Sequence, residues 1–457
     1  MLQQCIRGVC AELWGDLADS YWCSNASAGG WAEVDQQCAI TGRLQIPSGL
    51  LYNSTDPEIG SRIAGYHNAT GGIIHAWHSQ GWAMHMFEIE SHLLSEARLK
   101  FVRGGGKQGG RNWCSCGQCN AGWCGQQQNP PDDSDERLVG GDWFVENILD
   151  ELDQPGEFYF DFDSKKLYVI PNGTLVDFRF ALHETLINIQ SSEEIKIMGL
   201  GFRDATATYM GEWSAPSGGD WSLHRGGAIF LEDSEEITIE QNLFQRLDGN
   251  AIFLSRRVVS TQVLKNTFEW LGENAIATWG SSDKYDATEG LFPLDTVVYG
   301  NVMRELGLFE KQSSAVGLAK SAVTWISHNI MFNMPRAAIN FNDGMGGGDT
   351  VDNNLIFNTC RESGDHGPIN SWDRQPFLTL VGHRVPSFTP LIRRIYHNLI
   401  FANYNAAQGV DNDDGSSWFH VHHNVWYDSQ GFKMDYGGTD SIYEDNLVIT
   451  YPPQSGQ

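Results

Sequence analysis

Alternating apolar and polar positions divide the chain from Leu186 onward into short strands. "LINIQSSEEIKIMGLGF" from Leu186 and "AIFLEDSEEITIEQNLF" from Ala228 start 42 residues apart, and both read strand, Ser-Glu-Glu-Ile, strand, turn, strand. Self-similarity of this kind marks a repeat architecture. The phrase recurs around Asn242, Asn266, Asn301, Asn329, Asn354, Asn398, Asn424 and Asn446. An apolar residue stands three positions before each Asn, from Ile239 to Tyr443, and another two positions after, from Phe244 to Val448. All sixteen of these slots are apolar. The Asn residues are 22 to 44 apart, so the unit varies in length while its phasing does not.

A third strand follows in each unit. Its first inward position reads Ile187, Ile229, Ile252, Ile276, Val316, Ile339, Ile369, Val410 and Phe432, all apolar. Three short strands per turn and a shortest turn of 22 residues predict an all-β fold, a right-handed parallel β-helix. The inward Asn at the bend predicts a ladder, each amide bonding the next and satisfying buried polar groups in series. Ahead of the helix, "FYFDFDSKKLYVIP" (158–171) reads as a hairpin leading into the first coil. The expected division is a Cys-rich region over 1–140, a linking hairpin segment over 141–185 and the β-helix over 186–457.

Strand alternation also defines what faces outward. In the early coils the outward rows of the third strand are mixed, with Phe230, Phe253 and Trp279 among them. In the later coils they turn polar: Asn340, Asn370 and Asp411 in the first row, Asn342, Trp372 and Asp413 in the second, Asp343, Asp373 and Asp414 just beyond. Equivalent positions on adjacent coils lie about 4.8 Å apart, so stacked carboxylates repel. Such a row needs a raised pKa, a basic partner or a cation. Polar ladders and Asp-Asp-Gly turns also occur for structural reasons alone. The whole patch, with Asp365, His366, Arg336 and Arg374 beside it, points to function. Ser371 and Asn412 are polar at inward positions and suggest support beneath the site.

Charge and cysteine placement narrow the class. The formal charge is −27, which argues against nucleic acid as a partner. No apolar run reaches the length of a membrane span. The start, "MLQQCIRGVCAELWGD", shows no signal-peptide core or cleavage site and reads as a mature or excised segment. Eight of the nine cysteines (Cys5, Cys10, Cys23, Cys38, Cys114, Cys116, Cys119 and Cys124) fall before residue 125. That even, clustered set reads as about four disulfides and a secreted protein. The competing reading is a zinc knuckle in "CSCGQCNAGWC", which no His accompanies. Cys360 reads as a buried free thiol. Sequons at Asn25, Asn53, Asn68 and Asn172 permit secretion without showing it.

Other motifs carry less. "GGGKQGGR" (104–111) lacks the Lys-Ser/Thr ending of a phosphate loop, and "PPDDSDE" (130–136) reads as a solvated loop. "IIHAWHSQGWAMHMFEI" (73–89) reads as an amphipathic strand pair. His420 and His422 in "HVHHN" share one outward face, as surface residues or as a metal site.

"WFVENILDELDQPGEFYFDFDSKKLYVIP" (143–171), "DHGPINSWDR" and "VDNDDGSS" (410–417) together resemble the right-handed β-helix glycoside hydrolases of family 141, in the pectin-lyase-like superfamily. The resemblance runs from about residue 70 to the end. It implies an α-L-fucosidase or xylanase type of activity on cell-wall polysaccharide, with two Asp residues on the helix face. The Cys-rich front has no counterpart in the pattern.

Glycoside hydrolysis uses two carboxyl groups, about 5 to 5.5 Å apart for retention and roughly 6.5 to 9.5 Å for inversion. Neighbouring coils favour the shorter value. Asp373 and Asp414 are the expected nucleophile and general acid/base, with Asp365 and Asp413 in reserve. Asp343, His366, Asn370, Trp372, Arg374, Arg336, Asn340, Asn342, Asp411 and Trp279 are expected to bind a polysaccharide or oligosaccharide, without a cofactor. The alternative is a polysaccharide lyase or uronate epimerase. There the Asp cluster binds Ca²⁺, and Lys320, Lys433 or Arg374 is the base. A non-catalytic carbohydrate-binding solenoid is the third reading.

Overall fold

The computed structural model describes residues 6–8, 12–15, 47–78, 84–104, 137–174, 179–211, 213–214, 223–282, 286–341, 346–364, 366–372, 379–381, 385–387, 389–404, 408–413, 415–435 and 438–450. The eight N-terminal cysteines, the Gly-rich stretch after Gly104 and the acidic loop at 130–136 lie outside these residues. The chain forms two compact units, one mostly up to Phe180 and the other mostly from Ala181.

The first unit holds, among the described residues, a seven-stranded antiparallel sheet. Its order is Ile6–Gly8, Arg137–Glu146, Glu12–Gly15, Pro47–Leu51, Arg98–Gly104, Met84–Leu93 and Ile73–His78. Arg137–Glu146 also pairs with Ile73–His78, so the ladder closes on itself. That strand crosses residue 140, where the first region was expected to end. Ile73–His78 and Met84–Leu93 are the expected strand pair. His75 within it is a core residue: it is fully buried, stacks on Phe144 with centroids 4.2 Å apart and lies 3.3 Å from Glu146. Phe158–Asp161 and Lys166–Val169 form the expected hairpin.

The second unit is the right-handed parallel β-helix, built from three parallel sheets of nine strands each among the described residues. One sheet holds the strands before the Asn positions, one the strands after them, and one the third strands. The expected inward residues of the third strands are in register, pairing from Ile187 with Ile229 through Ile369 with Val410 to Val410 with Phe432. Their side chains join one continuous core from Ile189 to Trp426. "PINSWD" contains the strand Ile369–Ser371, between Ile339–Phe341 and Gln408–Asn412.

The Asn ladder is complete from Asn242 to Asn446. From Asn266 onward each Oδ1 accepts two bonds from the Asn of the preceding coil, one from its backbone N–H and one from Nδ2, while Asn242 Oδ1 accepts from the Leu200 N–H at 2.9 Å. For Asn301 these come from Asn266 at 2.8 and 3.1 Å. Each Nδ2 also donates to a backbone carbonyl, as Asn301 does to Val263 at 2.9 Å. The residue before each Asn is left-handed, from Gln241 (φ 54°) to Asp445 (φ 50°). That conformation makes the bend. Six of the eight positions carry Gly, Asn, Asp or His, which tolerate it best.

Candidate functional site

The later coils of the third-strand sheet carry the expected polar rows. Asn340, Asn370, Asp411 and Lys433 are consecutive partners in the ladder. Register holds one residue beyond the strands, where the Trp372 N–H donates to Phe341, Asp413 to Ser371 and Asp435 to Asn412. Trp372, Asp413 and Asp435 therefore form the second row.

The first row was expected to face solvent. Instead Asn340, Asn370 and Asp411 are buried, at 1, 1 and 0% exposure. At Asp411 the turn that precedes the strand Ile369–Ser371 packs against it. A Cβ at Gly367 would lie 2.9 Å from the Asp411 Cβ and 2.7 Å from the Gln408 carbonyl, so glycine permits the close approach. Asn370 Nδ2 donates to Asn340 Oδ1 at 3.2 Å. Arg336 and His366, from the same set of turns, are also buried. Arg336 Nη2 donates to His366 Nε2 at 2.9 Å, and Ser363 Oγ bonds the other ring nitrogen. Arg336 Nε donates to Nδ1 of the same ring at 3.3 Å.

The part of the site that reaches solvent centres on Lys433. Its ammonium lies 3.3 Å from Asp411, 3.6 Å from Asp413 and 2.9 Å from Asp435. The Asp413 and Asp435 side chains are about a quarter and a third exposed, and Trp372 is half-buried. Lysine is thus a basic partner of these three carboxylates. Beneath this row, Ser371 Oγ lies 3.1 Å from Asn412 Oδ1 and 2.8 Å from Ser416 Oγ, and Ser416 Oγ donates to the Ser371 carbonyl at 3.1 Å, the inward polar layer anticipated from sequence.

Trp279 stands apart. It is three coils from Trp372, about 14 Å along the axis. The Arg225 guanidinium covers one ring face at 4.3 Å and donates to Ser255 Oγ at 2.6 Å. Asp373, Asp414, Asp365, Asp343, Asn342 and Arg374 lie outside the described residues.

Two buried acids had no sequence signal, because both sit on irregular turns before the third strand. Glu310 is fully buried, and burial pushes its carboxyl up to about 8. The Gln312 N–H and the charges of Arg336 and Lys311 pull the other way without prevailing. Burial likewise holds Glu273 well above the carboxylate range, although Thr208 Oγ1 donates to it at 2.5 Å. Lys433 was expected only as a lyase base, and Asp435 was not assigned to the site.

Among the described residues, no three His, Cys, Asp or Glu side chains are arranged to hold a metal ion. His420 bonds Glu444 at 2.9 Å and His422 bonds His423 at 2.9 Å on the outer surface. No described helix is long and apolar enough to cross a membrane.

The fold has a solved counterpart. A structure described as "Glycoside hydrolase" matches 98% of this chain and 77% of its own, with a TM-score of 0.64 and 14% identity. At that identity the likeness is one of fold. An alginate lyase from Paenibacillus sp. str. FPU-7 matches 58% of this chain and 91% of its own at 12% identity, with a TM-score of only 0.35. A mannuronan C-5 epimerase A-module from Azotobacter vinelandii matches 50% of this chain and 58% of its own at 18% identity, again at 0.35. No family model and no curated protein matches the sequence.

Proposed function

We propose that this protein is a glycoside hydrolase that cleaves an extracellular or cell-wall polysaccharide with two Asp residues. The observation that carries the reading is the register of Ile369–Ser371 against Gln408–Asn412, which persists at Trp372 and Asp413. Asp373 and Asp414 each stand one residue further along the sequence. Equivalent positions on neighbouring coils are about 4.8 Å apart, close to the spacing of retaining enzymes. Asp373 and Asp414 then share the roles of nucleophile and general acid/base, Asp413 and Asp365 stand in reserve, and Trp372 stacks on a sugar ring. Resemblance to family 141 suggests an α-L-fucosidase or xylanase type, the clustered cysteines suggest a secreted protein, and the two-Asp chemistry calls for no cofactor.

A lyase or epimerase on Ca²⁺ is the second reading, favoured by the oxygen-rich cluster. Its base must be uncharged to take a proton. Lys433 fits that role poorly, because three carboxylates within 4 Å favour its charged form. Arg374 fails the same test, because a guanidinium keeps its charge, so Lys320 remains as the candidate base.

One assay separates these readings. Neutral and uronate polysaccharides are offered with and without chelator, and reducing ends and ultraviolet-absorbing unsaturated sugars are measured. Hydrolysis gives reducing ends without unsaturation, insensitive to chelator. Asp373→Asn and Asp414→Asn each lower the rate by about 10²–10⁴-fold. Full activity in Asp373→Asn removes the two-Asp assignment.

A further inference from the structure

In the strands that follow the ladder Asn, the middle residues, such as Met331, Ile356, Ile400 and Trp426, lie in the core. The residues on either side of them therefore face outward. Register aligns one outward row from Val302 through Ile330, Leu355, Leu399 and Val425 to Leu447. It aligns the other as Phe332, Phe357, Phe401, Tyr427 and Ile449. Every position in both rows is apolar or aromatic, and none is buried. Ile330, Leu399 and Leu447 are 37, 42 and 54% exposed. The fold does not require such a face. In the earlier coils of the same sheet the second row is Arg203, Gln245, Glu269 and Arg304. There Gln245 donates to Glu269 at 2.8 Å, and Arg304 pairs with the same carboxylate.

We propose that this face is a homodimer interface, closed by the same face of a second copy of the chain. From Val302 to Leu447 it spans about 24 Å along the axis. With about a third of each side chain's roughly 200 Å² exposed, it presents on the order of 700 Å² of apolar surface. That is as large as the largest patch usual on a monomer and close to one side of a standard interface. Neither row carries a charge, so two chains of formal charge −27 can meet there without burying like charges together. The rows repeat at the coil spacing, and a second copy brings the same pitch, so each side chain can seat between two of its partner's. A flat carbohydrate surface fits less well. Phe332, Phe357 and Phe401 stack with centroids 4.7 and 4.9 Å apart and planes 5° and 2° apart, so their ring faces meet one another rather than solvent. The third-strand sheet, which carries the candidate site, takes no part, so the proposal stands apart from the hydrolase reading.

Sedimentation equilibrium of the full chain at about 1–100 µM tests the proposal, a range that reaches the weaker interfaces of this size. The expected result is a monomer–dimer equilibrium that tightens as NaCl rises, because screening relieves the repulsion between two acidic chains. Leu399→Lys, in the middle of one row, weakens the dimer by about 30-fold or more. Lysine reduces the net charge of the chain, so that loss cannot come from greater overall repulsion. Met198→Lys, on the first sheet and 48% exposed, leaves the dimer unchanged. A wild type that stays monomeric overturns the proposal, and so does a trimer or larger assembly, which one self-complementary face cannot build. A dimer as strong in Leu399→Lys as in the wild type, or one weakened equally by Met198→Lys, overturns it as well. A monomer that sediments with insoluble polysaccharide, and no longer does so as Leu399→Lys, assigns the face to carbohydrate instead. If Leu399→Lys does not fold, Ile330→Lys in the same row decides by the same measurement.

Discussion

Asn266 donates twice to the Oδ1 of Asn301, once from its backbone N–H at 2.8 Å and once from its side chain at 3.1 Å. Asn301 in turn donates to Asn329 at 2.9 and 3.0 Å. Each rung therefore satisfies donors on its neighbour as well as its own. Asn301→Ala leaves both Asn266 donors and the Val263 carbonyl without their partner in a dry interior. The expected loss is roughly 2–5 kcal/mol. Asn446, on the last coil and half-buried, can be replaced from water, and Asn446→Ala should cost about 1 kcal/mol. Urea denaturation of both variants checks the contrast. Equal losses would mean that the ladder adds nothing beyond one ordinary hydrogen bond per rung.

Glu310 predicts a stability that falls as pH rises. Burial moves its carboxyl from an ordinary 4.5 up to about 8. The folded protein keeps a proton that the unfolded chain releases across that window, so the unfolded state is favoured progressively above pH 4.5. Glu310→Gln has no proton to lose. The two proteins should melt together at pH 4.5, with the variant gaining on the wild type toward pH 8. The gap at pH 8 should be on the order of a few kcal/mol. Melting curves between these limits measure it, and a gap independent of pH would show that Glu310 does not titrate in this range.

The two tryptophans of the outward second row should differ in function. Trp372 adjoins Asp373 in sequence and is half-buried, whereas Trp279 has one face taken by Arg225. On the hydrolase reading, Trp372→Ala raises KM about tenfold, the loss of one good stacking contact of about 1.4 kcal/mol. Trp279→Ala changes KM by less than about threefold. Steady-state kinetics on the polysaccharide that proves active test the pair. The reverse order would shift the binding surface three coils toward the N-terminus.

Core positions were legible because the core dictates them. The first inward slot of the third strand is apolar in every coil, so Ile187 through Phe432 could be phased by composition alone, and the structure pairs them in that order. Outward slots obey no such rule. Sequence placed Asn340, Asn370 and Asp411 on the outer face but could not tell that a turn with Gly367 closes over Asp411. Glu273 and Glu310 sit on turns of unequal length, where no period exists to phase them. Lys433 was one letter in a row, and its meaning depended on Asp435 reaching back across the same strand end.

Cys360 gives a last prediction, and through it a measure of the cysteines beyond the described residues. Burial pushes its thiol up to about 12, against the pull of Thr359 and Arg336 and with a push from Asp411. A buried thiol with so little thiolate is inert to alkylation. The folded protein should therefore show no reactive thiol. In denaturant without reductant, one should appear if the other eight of the nine cysteines are paired. After reduction all nine should react. The expected four disulfides and the zinc knuckle differ at the second step. A knuckle releases zinc on unfolding and frees additional thiols without any reductant. Nine thiols at that step would end the disulfide reading and, with it, the main argument for an oxidising compartment.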